Sequence, residues 1–301
     1  MTRTSTAPAS STSPATSTSP TSPASSLASV PTVDALTAAV LAGEHGPLPS
    51  ALVATSVFWI HHGTRLAGGD TTYLNQYVLV RLGGSFGGCA FEAGELDPAV
   101  CREASGSPLD VLLREAPRPL RMAALDAYLA EARPHVRAVD AGEAEALVLP
   151  AGTPEVRAAA RDAAIAGLLD IRAGAKVGLI GVVNPLVAAI RERGGVPLPC
   201  DFNLKTTQWG DPVTADMHQV LDEAEAVVAT GMTLSNGSFD TVLDRCRSRG
   251  IPLVVYAQSG SAVARAFLGA GVSALSAEPF PFSQFSADPT RLYRYRATPG
   301  A

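Results

Sequence analysis

Short apolar runs alternate with amphipathic helical patterns through the second half of the chain, and no other sequence feature constrains the fold as strongly. In chain order the runs read AKVGLIGVV, VPLPCDFN, AVVATG, IPLVVYAQ and VSALSA, and a helical pattern precedes each of them. Continuous apolar strands joined by helices are typical of a parallel sheet covered by helices on both faces. We therefore predict that residues 153–301 form an open, doubly wound α/β domain.

The preceding residues follow a different order, in which strands come before helices. An amphipathic helix over residues 33–42 is followed by ALVATSVFWIHH and TTYLNQYVLVRL, which are rich in the β-branched and aromatic residues of strands. The glycine-rich GGSFGGCAFEAG is a third, bulged strand or a loop. Helical patterns then extend to Pro134. We predict a small α+β domain over residues 31–140 and a linker over residues 141–152.

The first thirty residues are almost all Ser, Thr, Pro and Ala. Such a segment buries too little apolar surface to offset the entropy of ordering it, so we predict a disordered tail. No apolar core of a secretory signal precedes Leu27, and no apolar run is long enough to span a bilayer. We therefore expect a cytoplasmic protein without a membrane partner, in which the four cysteines are reduced thiols.

Several functional classes lack their sequence signals. The net charge is −5 and Lys and Arg form no block, which argues against nucleic-acid binding. In VGLIGVVNPL, Gly178 and Gly181 do not form GxGxxG, and the chain has no Walker A lysine motif, so NAD or ATP bound through the usual loop is not expected. AQSGSAV lacks the GxSxG elbow of serine hydrolases.

Polar residues follow the predicted parallel strands. Ligands of an open parallel sheet bind at the carboxyl ends of its strands, where helix N-termini also point. GVVNP, PCDFN, TGMTLSNGS and AQSGSA lie at these positions. We predict that TGMTLSNGS is a strand-to-helix loop that forms part of a site, and that at least one of its Ser and Asn residues caps the next helix.

Four segments, VGLIGVVNPLVAAI, PCDFN, ATGMTLSNGSFDTVL and AQSGSAVARAFLGAGVSAL, resemble the family described as "Putative heavy-metal chelation". Its C-terminal domain is Rossmann-like and carries a T-G-x-T-x-x-N-G-[ST] loop. Its N-terminal domain resembles that of enolase and ends in an A-A-x-N-A helix, to which MAALDAYL is similar, with Asp126 in place of Asn. The chain departs from the family at AQSGSAV, which lacks the proline of the family's Gly-Pro-Ser turn.

The resemblance implies a site in the cleft between the two domains. The ligand contacts that it implies are Thr230, Gly231, Thr233, Asn236, Ser259, Asp201 and Asp126. Four of these, Asp201, Asp126, Thr233 and Asn236, offer oxygen ligands, which suit hard ions or a polar small molecule. A soft heavy metal would also need Cys89, His61 or His62 from the N-terminal domain.

We therefore expect a polar, metal-chelating small molecule or a metal ion to bind between the domains, in metal handling or metallophore biosynthesis. A divalent metal is the expected cofactor, with Asp201, Cys89 and His61 as its candidate ligands. The alternatives are a nucleotide-dependent enzyme with an atypical Rossmann-like domain and a noncatalytic partner-binding module. Whether the chain catalyses a reaction stays open. Its oligomeric state stays open as well, and a homo-oligomer is one alternative.

Overall fold

The computed structural model describes residues 31–65 and 72–298, apart from the side chain of Tyr73. The predicted tail, residues 1–30, lies outside the described residues. Within them, a three-stranded antiparallel sheet is followed by a seven-stranded, mostly parallel sheet with helices on both faces. This confirms the predicted fold class, a Rossmann-like α/β protein preceded by a small α+β unit.

The elements of the first half are the helices α1 (Val33–Leu41), α2 (Val100–Ala104), α3 (Leu109–Glu115), α4 (Arg118–Ala132) and α5 (His135–Asp140), and the strands β1 (Ser56–Thr64), β2 (Tyr73–Leu82) and β3 (Ser85–Phe91). The helices of the second half are α6 (Pro154–Ala166), α7 (Asn184–Glu192), α8 (Met217–Glu223), α9 (Met232–Asn236), α10 (Phe239–Arg249) and α11 (Ser261–Arg265). Its strands are β4 (Glu145–Leu149), β5 (Lys176–Ile180), β6 (Val196–Cys200), β7 (Ala226–Thr230), β8 (Leu253–Ala257), β9 (Ala274–Ala277) and β10 (Thr290–Arg296). Single 3-10 turns occur at Pro49–Ala51 and Ser283–Phe285.

The three-stranded sheet is covered on both faces. Val78 and Val80 of β2 point into the core that contains α4, whereas Tyr77 and Leu79 point to the opposite face. Successive strand residues face opposite sides of a sheet, so β2 must be apolar throughout when both sides are buried. On the second face, Tyr77 and Leu79 pack against Phe282 and its neighbours from the second half.

The helix α4 lies at the centre of the molecule. Every residue from 119 to 130 except Arg121 is buried. A helix that is buried all round has little polar surface, and the alanines of this one allow close approach. The closest approach is at Gly87 of β3, where a Cβ would overlap the backbone nitrogen of Ala127 and the carbonyl oxygen of Ala123. SFGGCAF is therefore a strand, β3, and Gly87 allows α4 to lie directly on it.

The seven strands of the second sheet lie in the order β4-β10-β9-β8-β7-β5-β6. The five predicted strands, β5 to β9, pair in parallel, as expected. The strand β10 is antiparallel to both of its neighbours, β9 and β4. Because β4 falls within residues 141–152, the segment predicted as a linker contributes a strand to this sheet.

Helices cover the two faces of the second sheet differently. The helices α6 and α7 pack on one face, against residues such as Val177 and Val228. The helices α8, α10, α11 and α4 pack on the other, in one core that also includes the α4 face of the first sheet. None of the helices in the described ranges is long and apolar enough to cross a membrane. All four cysteines are free thiols, as expected.

Candidate functional site

The polar segment after β7 forms the short helix α9, not the predicted loop. The Thr233 hydroxyl donates to the carbonyl oxygen of Thr230 at 2.8 Å, and the Ser235 hydroxyl donates to that of Met232 at 2.8 Å. Gly237, with φ +84°, then ends the helix. These short side chains bond back to the preceding turn and are buried, which explains why a sequence without an amphipathic pattern is helical here.

Asn236 is the last residue of α9. Its Oδ1 accepts the backbone N–H of Ser238 at 3.0 Å and the Ser238 hydroxyl at 2.7 Å. Ser238 is the N-cap residue of α10 and its side chain forms no capping hydrogen bond, so the predicted side-chain cap of this helix is wrong. The Arg118 guanidinium of α4 donates to the carbonyl oxygens of Leu234 and Ser235. The carboxyl end of α9, including exposed Asn236, therefore points towards the beginning of α4.

The next group of predicted residues packs closely. A Cβ on Gly231 would overlap the carbonyl oxygen of Ser259, which is itself buried, and a Cβ on Gly181 would overlap the methyl group of Thr230. Gly181 has φ +88°, in the left-handed region that favours glycine. Thr230, Gly231 and Ser259 are therefore neighbours at the carboxyl edge of the sheet, as the sequence predicts.

Asp126 lies on the α4 side of this edge. Its Oδ1 accepts the backbone N–H groups of Ala262 and Val263 at the beginning of α11, at 2.8 and 3.3 Å. Its Oδ2 accepts the N–H of Gly88 at 2.9 Å. Burial raises the pKa of this carboxyl to about 6, although the three N–H groups and the charge of Arg265 oppose the rise.

Asp201 lies elsewhere, after β6. Its Oδ2 accepts the N–H of Val182 at 3.0 Å, and its Oδ1 accepts those of Asn203 and Leu204. The structure thus does not bring the four predicted oxygen ligands together. Asp126 and Asn236 contact elements on the α4 side of the second sheet, whereas Asp201 bonds to the turn before α7 on the other side.

The predicted metal ligands are likewise apart. The Cys89 thiol is buried, donates to the carbonyl oxygen of Ala90, and has its pKa raised by burial. His61 is exposed on β1, and His62, its half-buried neighbour, bonds to the Thr64 hydroxyl at 3.1 Å. Among residues 31–65 and 72–298, no three His, Cys, Asp or Glu side chains are placed to hold a metal ion.

A polar cluster does form at the carboxyl edge, on the face covered by α6. Val228 packs on the α6 face, so Thr230, two residues later, faces the same side. The same alternation along β8 and β9 places Tyr256, Gln258 and Glu278 on this face. The Tyr256 hydroxyl donates to the carbonyl oxygen of Gly181 at 3.3 Å, and the Thr230 hydroxyl also bonds to it. Burial raises the pKa of this phenol.

Arg161 of α6 is the cation of this cluster. Its Nε donates to Asp162 Oδ1 at 3.1 Å, and its side chain is 23% exposed, so the cluster reaches solvent beside it. Burial lowers the pKa of Arg161, but the neighbouring carboxylates of Asp162 and Glu278 raise it more, and the net shift is upward. Its Nη atoms have no hydrogen-bond partner among the described residues. Its Nε is therefore engaged by Asp162, while its Nη atoms are not engaged by described residues.

The three-stranded sheet covers the cluster from above. Tyr77 of β2 is buried and bonds to Gln284, and burial raises its pKa to about 12. Its ring lies 5.3 Å from that of Phe282 and 6.2 Å from that of Phe285. Below it, Gln258 Nε2 donates to Gln284 Oε1 at 2.7 Å. We call the region around Arg161, Tyr256, Glu278, Gln258 and Tyr77, between the two sheets, the interdomain crevice.

Most of these residues could not be predicted from the sequence. The segment EPFPFSQF follows the last predicted strand and has no helical or strand period, and Arg161 reads as an ordinary surface residue of a helix. One signal was available. Arg157 and Arg161 are one helical turn apart and therefore share a face, which is unusual for a helix that must cover a sheet. Arg157 is buried and donates to the carbonyl oxygen of Ser283 at 3.0 Å.

The overall fold is similar to that of a solved structure. A protein of unknown function from the DUF364 family of Desulfitobacterium hafniense superposes with a TM-score of 0.56 at 16% identity, covering 88% of this chain and 96% of that one. A DUF364 protein from Pyrococcus horikoshii gives a TM-score of 0.48 at 15% identity, covering 80% and 93%. At such identities the likeness concerns the fold alone. A comparison with curated proteins finds no match.

The mostly parallel sheet, its polar carboxyl edge and the small sheet above it define a two-sheet α/β protein of the Rossmann-like kind. Residues 163–277 match the model of DUF364, the family described as "Putative heavy-metal chelation". The resemblance inferred from the sequence motifs is thereby confirmed for these residues. The matched range includes the strand ends that carry Asp201, Thr230 and Tyr256.

Proposed function

We propose that the chain binds a polar, carboxylate-bearing small molecule of the kind that chelates metal ions, in the interdomain crevice. The observation that carries this proposal is the guanidinium of Arg161, whose side chain is 23% exposed and whose Nη atoms bond to no described residue, beside the buried Tyr77 and Glu278. Binding of this kind would serve the handling or the synthesis of a metal chelator.

The donors around the crevice suit an organic anion. Arginine presents paired N–H groups that match the two oxygens of a carboxylate, and such charge-assisted pairs are among the strongest hydrogen bonds in proteins. The phenols of Tyr77 and Tyr256 and the amides of Gln258 and Gln284 add neutral donors and acceptors. A few convergent polar groups among aromatic side chains are typical of a small-molecule site.

Metal chelators fit this description, because carboxylate oxygens are common metal ligands. The crevice would recognise the organic part of such a molecule, whether or not it carries a metal. The description of the family, chelation of heavy metals, supports the same class of ligand.

Isothermal titration calorimetry of the full chain with citrate and with nitrilotriacetate, each alone and with equimolar Zn²⁺ or Ni²⁺, tests the proposal. We expect saturable binding of at least one probe and its loss in Arg161→Gln. Arg172→Gln is the matched control, because the Arg172 side chain is 85% exposed and pairs with Glu225 at the surface. Binding that is equal in wild type and Arg161→Gln, or no binding of any probe, would overturn the proposal.

A further inference from the structure

We infer that the chain has a second ligand site, at the amino edge of the seven-stranded sheet, which binds a small monocarboxylate with an apolar body. The amino edge is the end of the sheet at which β5, β7 and β8 begin. It lies opposite the carboxyl edge that carries the interdomain crevice. The inference goes beyond the proposed function and does not depend on it.

An open cavity of about 390 Å³ lies at this edge. Its size is typical of a small-molecule site. Residues at or just before the beginnings of the three strands supply most of its apolar lining, which comprises Ile171, Val177, Ala226, Ile251 and Pro252. The hydrocarbon part of a ligand would be shielded from water by these side chains.

Four charged side chains also line the cavity, and two of them pair with each other. Arg172 Nη2 donates to Glu225 Oε2 at 3.0 Å, so these two charges compensate one another. The other two are Asp170 and Arg249. Asp170 is exposed and bonds to no described residue. Arg249 is therefore the cation of the cavity that a ligand can use.

Arg249, the last residue of α10, is held by one corner of its guanidinium. Its Nη1 donates to the carbonyl oxygens of Leu221 and Ala224 at the end of α8, both at 2.6 Å. These two bonds use both hydrogens of Nη1. Its Nε and Nη2 form no hydrogen bond with a described residue. Two N–H groups on one edge of the fixed guanidinium plane are thus unused.

The edge formed by Nε and Nη2 suits a carboxylate. Its two N–H bonds are parallel, and the two oxygens of a carboxylate accept them together as a bidentate pair. Because the carbonyl groups of α8 already fix the guanidinium, a ligand would bind it with little further loss of side-chain entropy. The cavity therefore combines a preorganised carboxylate-binding group with an apolar lining.

The helix ends at this edge do not present unpaired carbonyl groups to an anion. Free carbonyl oxygens at a helix end would repel a carboxylate. The last carbonyl groups of α8 bond to Arg249, and those of Cys246 and Arg247 in α10 accept the N–H groups of Ile251 and Gly250. Hydrogen bonding of these oxygens reduces their repulsion of a ligand.

The acidic side chains of the lining limit the ligand to one negative charge. Asp170 and Glu225 share the cavity with Arg249. A phosphate dianion or a tricarboxylate such as citrate would bring several negative charges to a single available cation, and like charges repel. A monocarboxylate brings one, and a short branched hydrocarbon chain fits the apolar lining. The ligand class is therefore a small branched or aromatic monocarboxylate, such as 3-methylbutanoate or benzoate.

Nuclear magnetic resonance titration of the isotope-labelled full chain at pH 7 tests the inference. The probes are 3-methylbutanoate, its neutral amide, and acetate, which keeps the charge without the apolar body. We expect saturable shifts of the backbone N–H signals of Ala226, Gly250 and Ile251 with 3-methylbutanoate. The amide and acetate should each bind about tenfold or more weakly, because one lacks the charge-assisted bonds and the other the buried hydrocarbon.

Arg249→Lys separates the guanidinium edge from the charge. Lysine keeps the positive charge and can donate to the carbonyl oxygens of α8, but it lacks the paired planar N–H groups. The affinity for 3-methylbutanoate should fall about tenfold. Arg245→Lys is the matched control, since Arg245 lies on the same helix and pairs with Asp222 outside the cavity. Its affinity should equal that of wild type.

Several outcomes would overturn the inference. They are the absence of saturable shifts with 3-methylbutanoate, an equal affinity for the acid and either other probe, and an unchanged affinity in folded Arg249→Lys. Shifts that disappear in folded Arg161→Gln would place the probe in the interdomain crevice and also overturn it. Thermal unfolding shows whether each variant is folded, and the wild-type comparison of the three probes decides if Arg249→Lys is not. The proposed function is tested separately, by citrate and nitrilotriacetate.

Discussion

Asp126 of the central helix accepts the backbone N–H of Gly88 on β3 at 2.9 Å, while its other oxygen accepts two N–H groups at the beginning of α11. One buried side chain therefore connects the small sheet, the central helix and the seven-stranded domain. Removal of the carboxylate would deprive the backbone N–H groups of Gly88, Ala262 and Val263 of this acceptor.

Replacement of Asp126 should therefore destabilise the fold, and more so when both of its oxygen acceptors are lost than when one is kept. Asp126→Asn keeps one oxygen acceptor, whereas Asp126→Leu keeps none and should lower the free energy of unfolding by about 3 kcal/mol or more, because buried N–H groups lose their partners. Urea unfolding of wild type, both variants and the control Asp140→Asn, at an exposed position of α5, measures this. Equal stability of Asp126→Leu and wild type would contradict the connecting role.

His135 should make stability fall on mild acidification. Its ring is buried between the Tyr295 hydroxyl, 2.6 Å from Nδ1, and the Ser261 hydroxyl, 3.3 Å from Nε2. Burial, together with the charge of Arg265, holds the pKa of His135 well below 6.5. The unfolded chain therefore binds a proton near pH 6.5 that the folded chain does not, so this stabilisation is present above that pH and is lost as the pH falls.

We expect the free energy of unfolding to fall by up to about 1.4 kcal/mol per pH unit below 6.5 from this group alone. His135→Gln, which can still bond to both hydroxyls, should show a shallower decline between pH 7 and 5 than wild type. The exposed His218→Gln should decline as wild type does. Urea unfolding at each pH measures how steeply the free energy of unfolding depends on pH. Equal slopes for wild type and His135→Gln would contradict the prediction.

Gly87 should tolerate no side chain. A Cβ there would overlap backbone atoms of Ala123 and Ala127 on the central helix, which cannot move without displacing the whole helix. Gly87→Ala should therefore cost about 3 kcal/mol or prevent folding. Gly84→Ala, in the hairpin between β2 and β3, meets only the end of the Glu131 side chain at 3.8 Å and should fold normally. Thermal unfolding of the two variants compares them directly, and similar melting temperatures would refute the close approach.

Asn236 should affect stability and not ligand binding. Because Asn236 Oδ1 accepts the backbone N–H and the hydroxyl of Ser238 in the turn before α10, Asn236→Ala should lower the free energy of unfolding by about 1 kcal/mol. Tyr256→Phe, within the interdomain crevice, should instead weaken the binding of whichever carboxylate probe the wild type binds. Calorimetry and urea unfolding of both variants separate the two effects. Loss of binding in folded Asn236→Ala would instead indicate that the ligand binds at the α9 segment.

The parallel strands could be predicted from the sequence because their apolar runs are continuous, whereas the predicted side-chain cap of α10 is wrong because these short polar side chains bond within α9 and its turn. The sequence placed Thr230 and Gly231 correctly at the carboxyl edge. It could not predict α9, whose helix depends on buried hydroxyls that bond to the preceding turn. It also assigned β4 to a linker, since an edge strand paired only with β10 needs few apolar residues.

The interdomain crevice could not be predicted from the sequence for a different reason. Tyr77, Arg161 and Glu278 are far apart in the sequence, and more than a hundred residues separate Arg161 from Glu278. Each has an ordinary explanation within its own segment. Only the alternation of side chains along β8 and β9, combined with the order of the strands, brings them to one face. Residue types therefore indicated a polar edge, while the choice of face depended on tertiary packing.

The shared core around α4 has a consequence for how a ligand enters. Because one hydrocarbon interior continues from the first sheet into the second, the two halves cannot swing apart like the lobes of a hinged binding protein without exposing it. Access to the crevice therefore depends on small local movements near the partly exposed Arg161. Capture should be accompanied by little change in overall dimensions, which solution scattering with and without ligand would measure.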